Sequence, residues 1–193
     1  MTMTCKLCGK EEALRESHIF PKFIFKWMQT SGSRFFRSTQ NPNIRSQDGS
    51  RERLLCDACE ARFSTLEKYF SENIFYPYLN YGKNGFTYDS NLFSFLISIA
   101  WRVMWQEIAL FRKDKDSFLD LLVKAEHEWR LFLLNGVNPE YFKEVHLFFT
   151  DIATSKHQPV AKLNVYLNRA VDGTIASNDS MCAVYSKFSR FIS

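Results

Sequence analysis

The chain has 193 residues, 46% of them hydrophobic and 24% charged, with a net charge of +4. That is enough apolar material for one large or two small packed cores, so a soluble globular protein is expected. The best apolar run, Leu92 to Trp101, stops at Arg102, short of the roughly 18 residues that mark a membrane helix, and neither repeats nor low-complexity tracts occur.

In chain order the first signal is Cys5-Lys6-Leu7-Cys8, answered by Cys56-Asp57-Ala58-Cys59. A two-residue gap lets both sulfurs of a pair turn to one ion, and two pairs supply the four thiolates of a tetrahedral structural zinc site. The lack of a leader and a chain able to fold without staples argue against a disulfide framework, and neither pair has the strand-before-helix context of a redox motif. Free thiolates and no leader suit a reducing cytoplasm. Cys182 stands alone and reads as a small buried apolar residue.

After the first pair, Ala13 to Phe20 is short and mixed. Pro21 then opens a helix in which Phe23, Ile24, Trp27 and Met28 share a face, ending near Ser31-Gly32. Residues 33–50 have no apolar period and predict a long polar loop or an extended hairpin. Pattern returns at Arg53-Leu54-Leu55, and the second cysteine pair begins a helix through Phe70 with Phe63, Leu66 and Phe70 on one face. Knuckle, intervening segment and ligand-bearing helix make a treble-clef-like arrangement, with the stretch Tyr76 to Gly85 as the join to a second domain.

In the second half, Asp89-Ser90-Asn91 caps a helix over Leu92 to Phe111 that is apolar on most sides. A second helix starts from a Ser117/Asp120 capping box, carries Phe118, Leu121, Leu122, Ala125, Trp129, Phe132 and Leu133 as a stripe, and stops at Asn135-Gly136. Val145 to Phe149, Leu163 to Leu167 and Ala183 to Phe191 alternate like strands, with Asp172-Gly173 as a turn. The apolar strand pattern just before Ser193 invites a protein partner or a second copy of the chain to complete a sheet. The 19 phenylalanines read as core. His127, His146 and His157 lack ligand spacing and read as solvated or core residues.

Charge is uneven. Residues 1–70 hold 12 Lys/Arg and 8 Asp/Glu, whereas 71–193 hold 13 of each. From Arg15 to Arg53, Arg15, Lys22, Lys26, Arg34, Arg37, Arg45, Arg51 and Arg53 face only Glu16, Asp48 and Glu52. A basic loop on a metal scaffold suits phosphate, and the candidates for nucleic-acid binding are Arg34, Arg37, Arg45, Arg51 and Arg53. Asp48 reads as a turn residue before Gly49.

Cys5-x-x-Cys8, Ser17-His18-Ile19-Phe20-Pro21 and Leu54-Leu55-Cys56-x-x-Cys59 together resemble the HNH, or ββα-metal, endonuclease family in its zinc-stabilised form, over about residues 5–70. The resemblance implies a treble-clef/ββα-metal zinc module at 1–76; with the patterns that follow it, the chain is expected to be α+β, the module leading into a mainly helical segment and a small C-terminal antiparallel sheet within 86–193. It implies a metal-dependent endonuclease hydrolysing phosphodiester bonds in DNA, or RNA, with His18 as general base, structural Zn2+ on Cys5, Cys8, Cys56 and Cys59, and Mg2+ or Mn2+ as the catalytic ion. A backbone carbonyl, Asn41 or Asn43 would orient the imidazole. Where the family commonly carries Asp or His before the base, this chain has Ser17. Where a histidine often follows the second pair it has Glu60, a possible catalytic-metal ligand, and Arg51 or Arg53 stands near the place of the usual asparagine. The alternative is a catalytically inactive zinc module that binds nucleic acid or a partner protein.

Overall fold

The protein is described from a computed structural model, which covers residues 2–38, 41–114, 118–151, 156, 161, 163–178 and 181–193. Helices and strands are mixed, as expected, and a four-cysteine cluster sits in the first third. Strands β1 (Met3–Thr4) and β2 (Glu11–Glu12) flank the first cysteine pair as a tight antiparallel knuckle. Its turn requires a left-handed residue, and Gly9 supplies it at φ +75°. Next come β3 (Leu14–His18) and α1 (Lys22–Thr30), entered at Pro21. The polar stretch forms an extended hairpin, β4 (Phe36–Arg37) against β5 (Arg45–Ser46). Strand β6 (Arg51–Cys56) then returns antiparallel to β3, pairing His18 with Arg51 and Glu16 with Arg53.

Helix α2 (Asp57–Phe70) follows β6 directly, so the second cysteine pair, contrary to expectation, lies at a strand-to-helix junction; α2 runs through a π-turn, Ser71–Phe75, into α3 (Tyr76–Tyr81). The wide turn falls where Pro77 brings no N–H to a helical ladder. Gly82, at φ +67°, ends the rod. Helix α4 (Ser90–Asp114) is capped by Asp89, whose carboxylate accepts the Leu92 N–H at 2.9 Å, and is buried on most of its circumference. Helix α5 (Leu119–Asn135) buries the predicted Leu122, Ala125, Trp129 and Leu133 and ends at Gly136. Phe118 stands at its N-cap, and Ser117 of the expected capping box lies outside the described residues, as does His157.

The C-terminal part carries the expected small antiparallel sheet, in the order β7 (Phe148–Phe149), β10 (Phe191–Ile192), β9 (Cys182–Phe188) and β8 (Val171–Ser177). The last strand is paired on both sides. Two local expectations are corrected. Leu163 to Leu167 belongs to a helix, α6 (Leu163–Arg169), because its alternation does not mark a buried face: Val165 and Tyr166 are about half exposed at 50% and 47%. Asp172-Gly173 is not a turn but lies inside β8, paired with Lys187 and Ser186. Glycine is needed there for close approach, since a Cβ would fall 2.8 Å from Val103 and 3.0 Å from Phe20.

The phenylalanines explain how the parts join. Phe70 of α2 stacks on Phe95 of α4 at 4.0 Å between centroids and meets Phe191 of β10 at 5.5 Å, while Phe23 of α1 meets Phe75 edge-on at 4.9 Å. One contiguous set of buried residues therefore runs from Cys5 to Phe191, across the join expected at 76–85. Among the described residues no helix is long and apolar enough to cross a membrane.

Lys187 of β9 is fully buried, its Nζ donating to the Leu167 carbonyl at 2.7 Å and to the Ser189 carbonyl. Burial pulls the amine down from 10.5 to about 8. Between those values the unfolded chain binds the extra proton, so the cost of burying this lysine is present below pH 8 and stability rises as pH rises through the window. Urea titrations at pH 8 and pH 10 should show the parent gaining about 2 kcal/mol relative to Lys187→Met. Parallel pH dependences of the two proteins would refute a buried amine that gives up its proton well below 10.5.

Candidate metal centre and nucleic-acid interface

The four sulfurs come together because β6 carries Cys56 to the foot of α2, whose first turn presents Cys59, while the knuckle docks on β6 through the Lys6 N–H to Leu54 carbonyl bond of 2.9 Å. All four Sγ atoms lie within 4.8 Å of one another, and Cys8 to Cys56 is 3.8 Å. Four sulfurs each 2.3 Å from a central tetrahedral ion would be about 3.8 Å apart, whereas a disulfide needs about 2 Å. The cysteines are free, and three of them are buried.

Their electrostatics fit a cation. Burial works against ionisation of Cys5, but the Cys8, Cys56 and Leu7 amides and the Cys8 thiol outweigh it and bring Cys5 down to about 7. The Cys56 N–H points at that sulfur from 3.4 Å. Burial and neighbouring thiols push Cys59 and Cys56 up. A set of sulfurs that cannot all ionise alone is one that a divalent ion completes, and the set could hold a metal such as zinc. Among the described residues no other group of three or more His, Cys, Asp or Glu side chains converges in this way.

The β3–β6 ladder has two faces, since neighbouring side chains on a strand point opposite ways. On one, Ser17 is 2% exposed and its hydroxyl donates to Glu60 Oε1 on the first turn of α2. The positions that the resemblance pairs thus do touch, with a serine in place of the usual ligand. On the other face His18 sits opposite Arg51, and Glu16 opposite Arg53. His18 Nε2 lies 3.0 Å from Asp48 Oδ2 and 3.1 Å from Arg51 Nε, while Arg51 Nη2 also bonds Asp48. Among the described residues no hydrogen bond engages Nδ1. Arg51 Nε–H donates to Nε2, which places the neutral ring's proton on Nδ1; a tautomer that turns Nε2–H to Asp48 instead gives up the Arg51 bond and frees the Nδ1 lone pair.

Asp48 is more than the turn residue expected. Its Oδ1 caps the Gly49 N–H at 2.9 Å, and Phe25 lies so close over Gly49 that a Cβ there would stand 2.1 Å from the ring. Burial would raise its carboxyl, but the Arg51 and His18 hydrogen bonds and the Gly49 amide more than offset this and bring it to about 2. The imidazole's partner is thus Asp48 rather than Asn41 or Asn43. Sequence spacing could not select it, because Asp48 meets His18 only once β6 has paired with β3.

The main chain of His18 is held as well. Its carbonyl accepts from Arg102 Nη1 of α4 at 3.0 Å, and the same nitrogen bonds Glu67 at 2.8 Å. Nothing in the local pattern of α4 marked Arg102 for this.

The predicted arginines divide in two. Arg51 and Arg53 stand on the His18 face of β6. Arg37 and Arg45 are register partners in the separate hairpin, and Arg34 lies just before it. Arg37 donates to the Pro42 carbonyl, and Arg45 lies over the Phe35 ring at 5.4 Å. Two cations opposite one another on a ladder repel unless an anion lies between them. A cleft of about 350 Å3, lined by Lys22, Phe25, Lys26, Gln29, Gln47 and Asp48, opens between α1 and the turn before β6.

Set against family models, curated proteins and solved structures, the chain matches none.

Proposed function

We propose that the chain is a metal-dependent nucleic-acid hydrolase of HNH type, built on a zinc ion held by Cys5, Cys8, Cys56 and Cys59. The observation that carries this reading is His18: an imidazole on the strand that pairs with the cysteine-bearing β6, with the Asp48 carboxylate and the Arg51 guanidinium both at Nε2 and Nδ1 turned to neither. Support comes also from element order: a knuckle bearing the first cysteine pair, the β3–β6 ladder and a helix that begins at the second pair, in the sequence that a treble-clef module would need.

In this reading Nδ1 of His18 takes a proton from the water that attacks phosphorus, the new O–P bond forming as the bond to the leaving sugar oxygen breaks. Asp48 orients the ring and stabilises its protonated form. Arg51 and Arg53 bind the phosphate oxygens, and Arg34, Arg37 and Arg45 hold backbone further along. Glu60 is a hard oxygen donor that, with substrate phosphate, would hold Mg2+ or Mn2+, whose chemistry when bound is to neutralise charge on the phosphate and leaving oxygen. The substrate is DNA or RNA.

His18→Ala should abolish cleavage of plasmid DNA or an RNA oligonucleotide in Mg2+ or Mn2+, a loss of roughly 10²- to 10⁴-fold, with one zinc per chain and the melting temperature kept. Asp48→Asn should fall between the two. A cleaving His18→Ala protein would overturn the mechanism. Ser17, whose hydroxyl is spent on Glu60, favours the second reading: a zinc module that grips nucleic acid, or a protein, without cutting it. Salt-sensitive retention of DNA or RNA with no product in any metal would select it for nucleic acid.

A further inference from the structure

The basic residues singled out along 33–53 leave out two lysines that the tertiary structure sets on a cleft sharing Asp48 with His18. Lys22 and Lys26 are one turn apart on α1, so they share a face, and both are exposed. Among the described residues neither ammonium group has an ion pair or a hydrogen bond. They line the cleft of about 350 Å3 whose one acidic lining residue is Asp48. Asp48 does not neutralise them, because its oxygens are taken by Arg51, His18 and the Gly49 N–H. The cleft therefore presents two uncompensated ammonium groups.

Its walls are built. Gln29 of α1 donates to the Gln47 carbonyl at 2.6 Å, tying helix to loop, and the Phe25 ring is clamped between Gly49 and Phe36, the latter at 5.5 Å and edge-on. Asp48 is the wall shared with the catalytic candidate, lining the cleft on one side and meeting His18 at 3.0 Å on the other. The volume is too large for a phosphate alone and falls in the range of sites that hold a small organic unit. Cationic groups, two side-chain amides and an aromatic ring together suit one nucleotide.

We infer that this cleft is a substrate subsite that holds the nucleotide next to the scissile phosphate, its own phosphate on Lys22 and Lys26. The inference rests on the nucleic-acid reading above and deepens it. The site takes an internal phosphodiester with a charged neighbour, not a lone terminal ester.

The test measures anisotropy of a fluorescein-labelled 12-mer DNA and its RNA counterpart against full-length protein in Ca2+, from 50 to 200 mM salt. The proteins are the parent, Lys22→Gln/Lys26→Gln, and Lys68→Gln/Lys143→Gln, which removes the same charge from exposed positions elsewhere. The first double variant should bind roughly tenfold more weakly at 50 mM salt, with a salt slope shallower by about 1.5, because two phosphate contacts no longer release counterions. The control variant should follow the parent. Equal losses in both variants would overturn the subsite in favour of general charge attraction, and no loss in Lys22→Gln/Lys26→Gln would also overturn it. If that variant binds normally while His18→Ala still abolishes cleavage, the subsite alone fails. A parent that binds neither oligonucleotide brings down the nucleic-acid reading itself.

Discussion

Stripping the metal, or replacing Cys56 by serine, should release one equivalent of zinc per chain and open the N-terminal third of the fold. The cluster joins a knuckle at Cys5 and Cys8 to a helix start at Cys56 and Cys59, and β1 and β2 are two residues each. Such short strands cannot hold themselves, so an ion bound there would supply most of the local stability; structural zinc sites bind with about 10–16 kcal/mol of apparent free energy at neutral pH. Hydrogen exchange should accelerate over residues 3–20 and 51–60, while α4, whose Phe95 stacks on Phe70 and whose Trp101 meets Phe63, stays protected. Metal analysis and exchange mass spectrometry on the parent and Cys56→Ser decide it. Parent protein that contains no tightly bound metal, or a serine variant with unchanged exchange, would remove the basis for a metal-built module.

Arg102→Met should be the most damaging single change in the second half of the chain. The side chain is 3% exposed, its guanidinium lies over the Phe63 ring at 5.1 Å, and it donates to the Ser98 carbonyl, the His18 carbonyl and Glu67. Removing it strands the Glu67 carboxylate and the His18 carbonyl, and breaking such a buried pair from one side costs about 3–5 kcal/mol. At about 2–4 °C per kcal/mol for a chain of this size, the melting temperature should fall by roughly 10 °C. Arg102→Lys should not rescue it, because one ammonium cannot reproduce the planar fork. Arg102→Met/Glu67→Leu should recover part of the loss, since no charge is then left buried. A fall of less than about 2 °C in the single variant would mean that Arg102 is not a strut between α4 and β3.

Both predictions concern how the His18 strand is held, one from the metal side and one from α4. Only the first was visible in the linear pattern. The cysteine spacing announces four converging sulfurs because two residues between ligands fix the reach of each pair locally, and the second pair needs only one chain reversal to meet the first. The apolar periods of α1, α2, α4 and α5 were legible for a similar reason: a helix face is written within about four turns of sequence. Asp89 at the start of α4 and Gly136 at the end of α5 were equally local signals.

What escaped the sequence has a common cause. Short segments are ambiguous, so Leu163–Arg169 alternates like a strand yet forms α6, and Gly173 looks like a turn yet sits where β8 passes close to Val103 and Phe20. Long-range partners are not written in any window. Asp48 reaches His18 through the β3–β6 register, and Ser17 reaches Glu60 because α2 folds back across the ladder. Arg102 meets the His18 carbonyl across 84 residues of chain, and Lys22 and Lys26 acquire their cleft when the loop before β6 closes over α1. Periodicity says which face of an element must be covered; which element covers it, and which polar atoms then meet, depends on the packing of the whole phenylalanine-rich core.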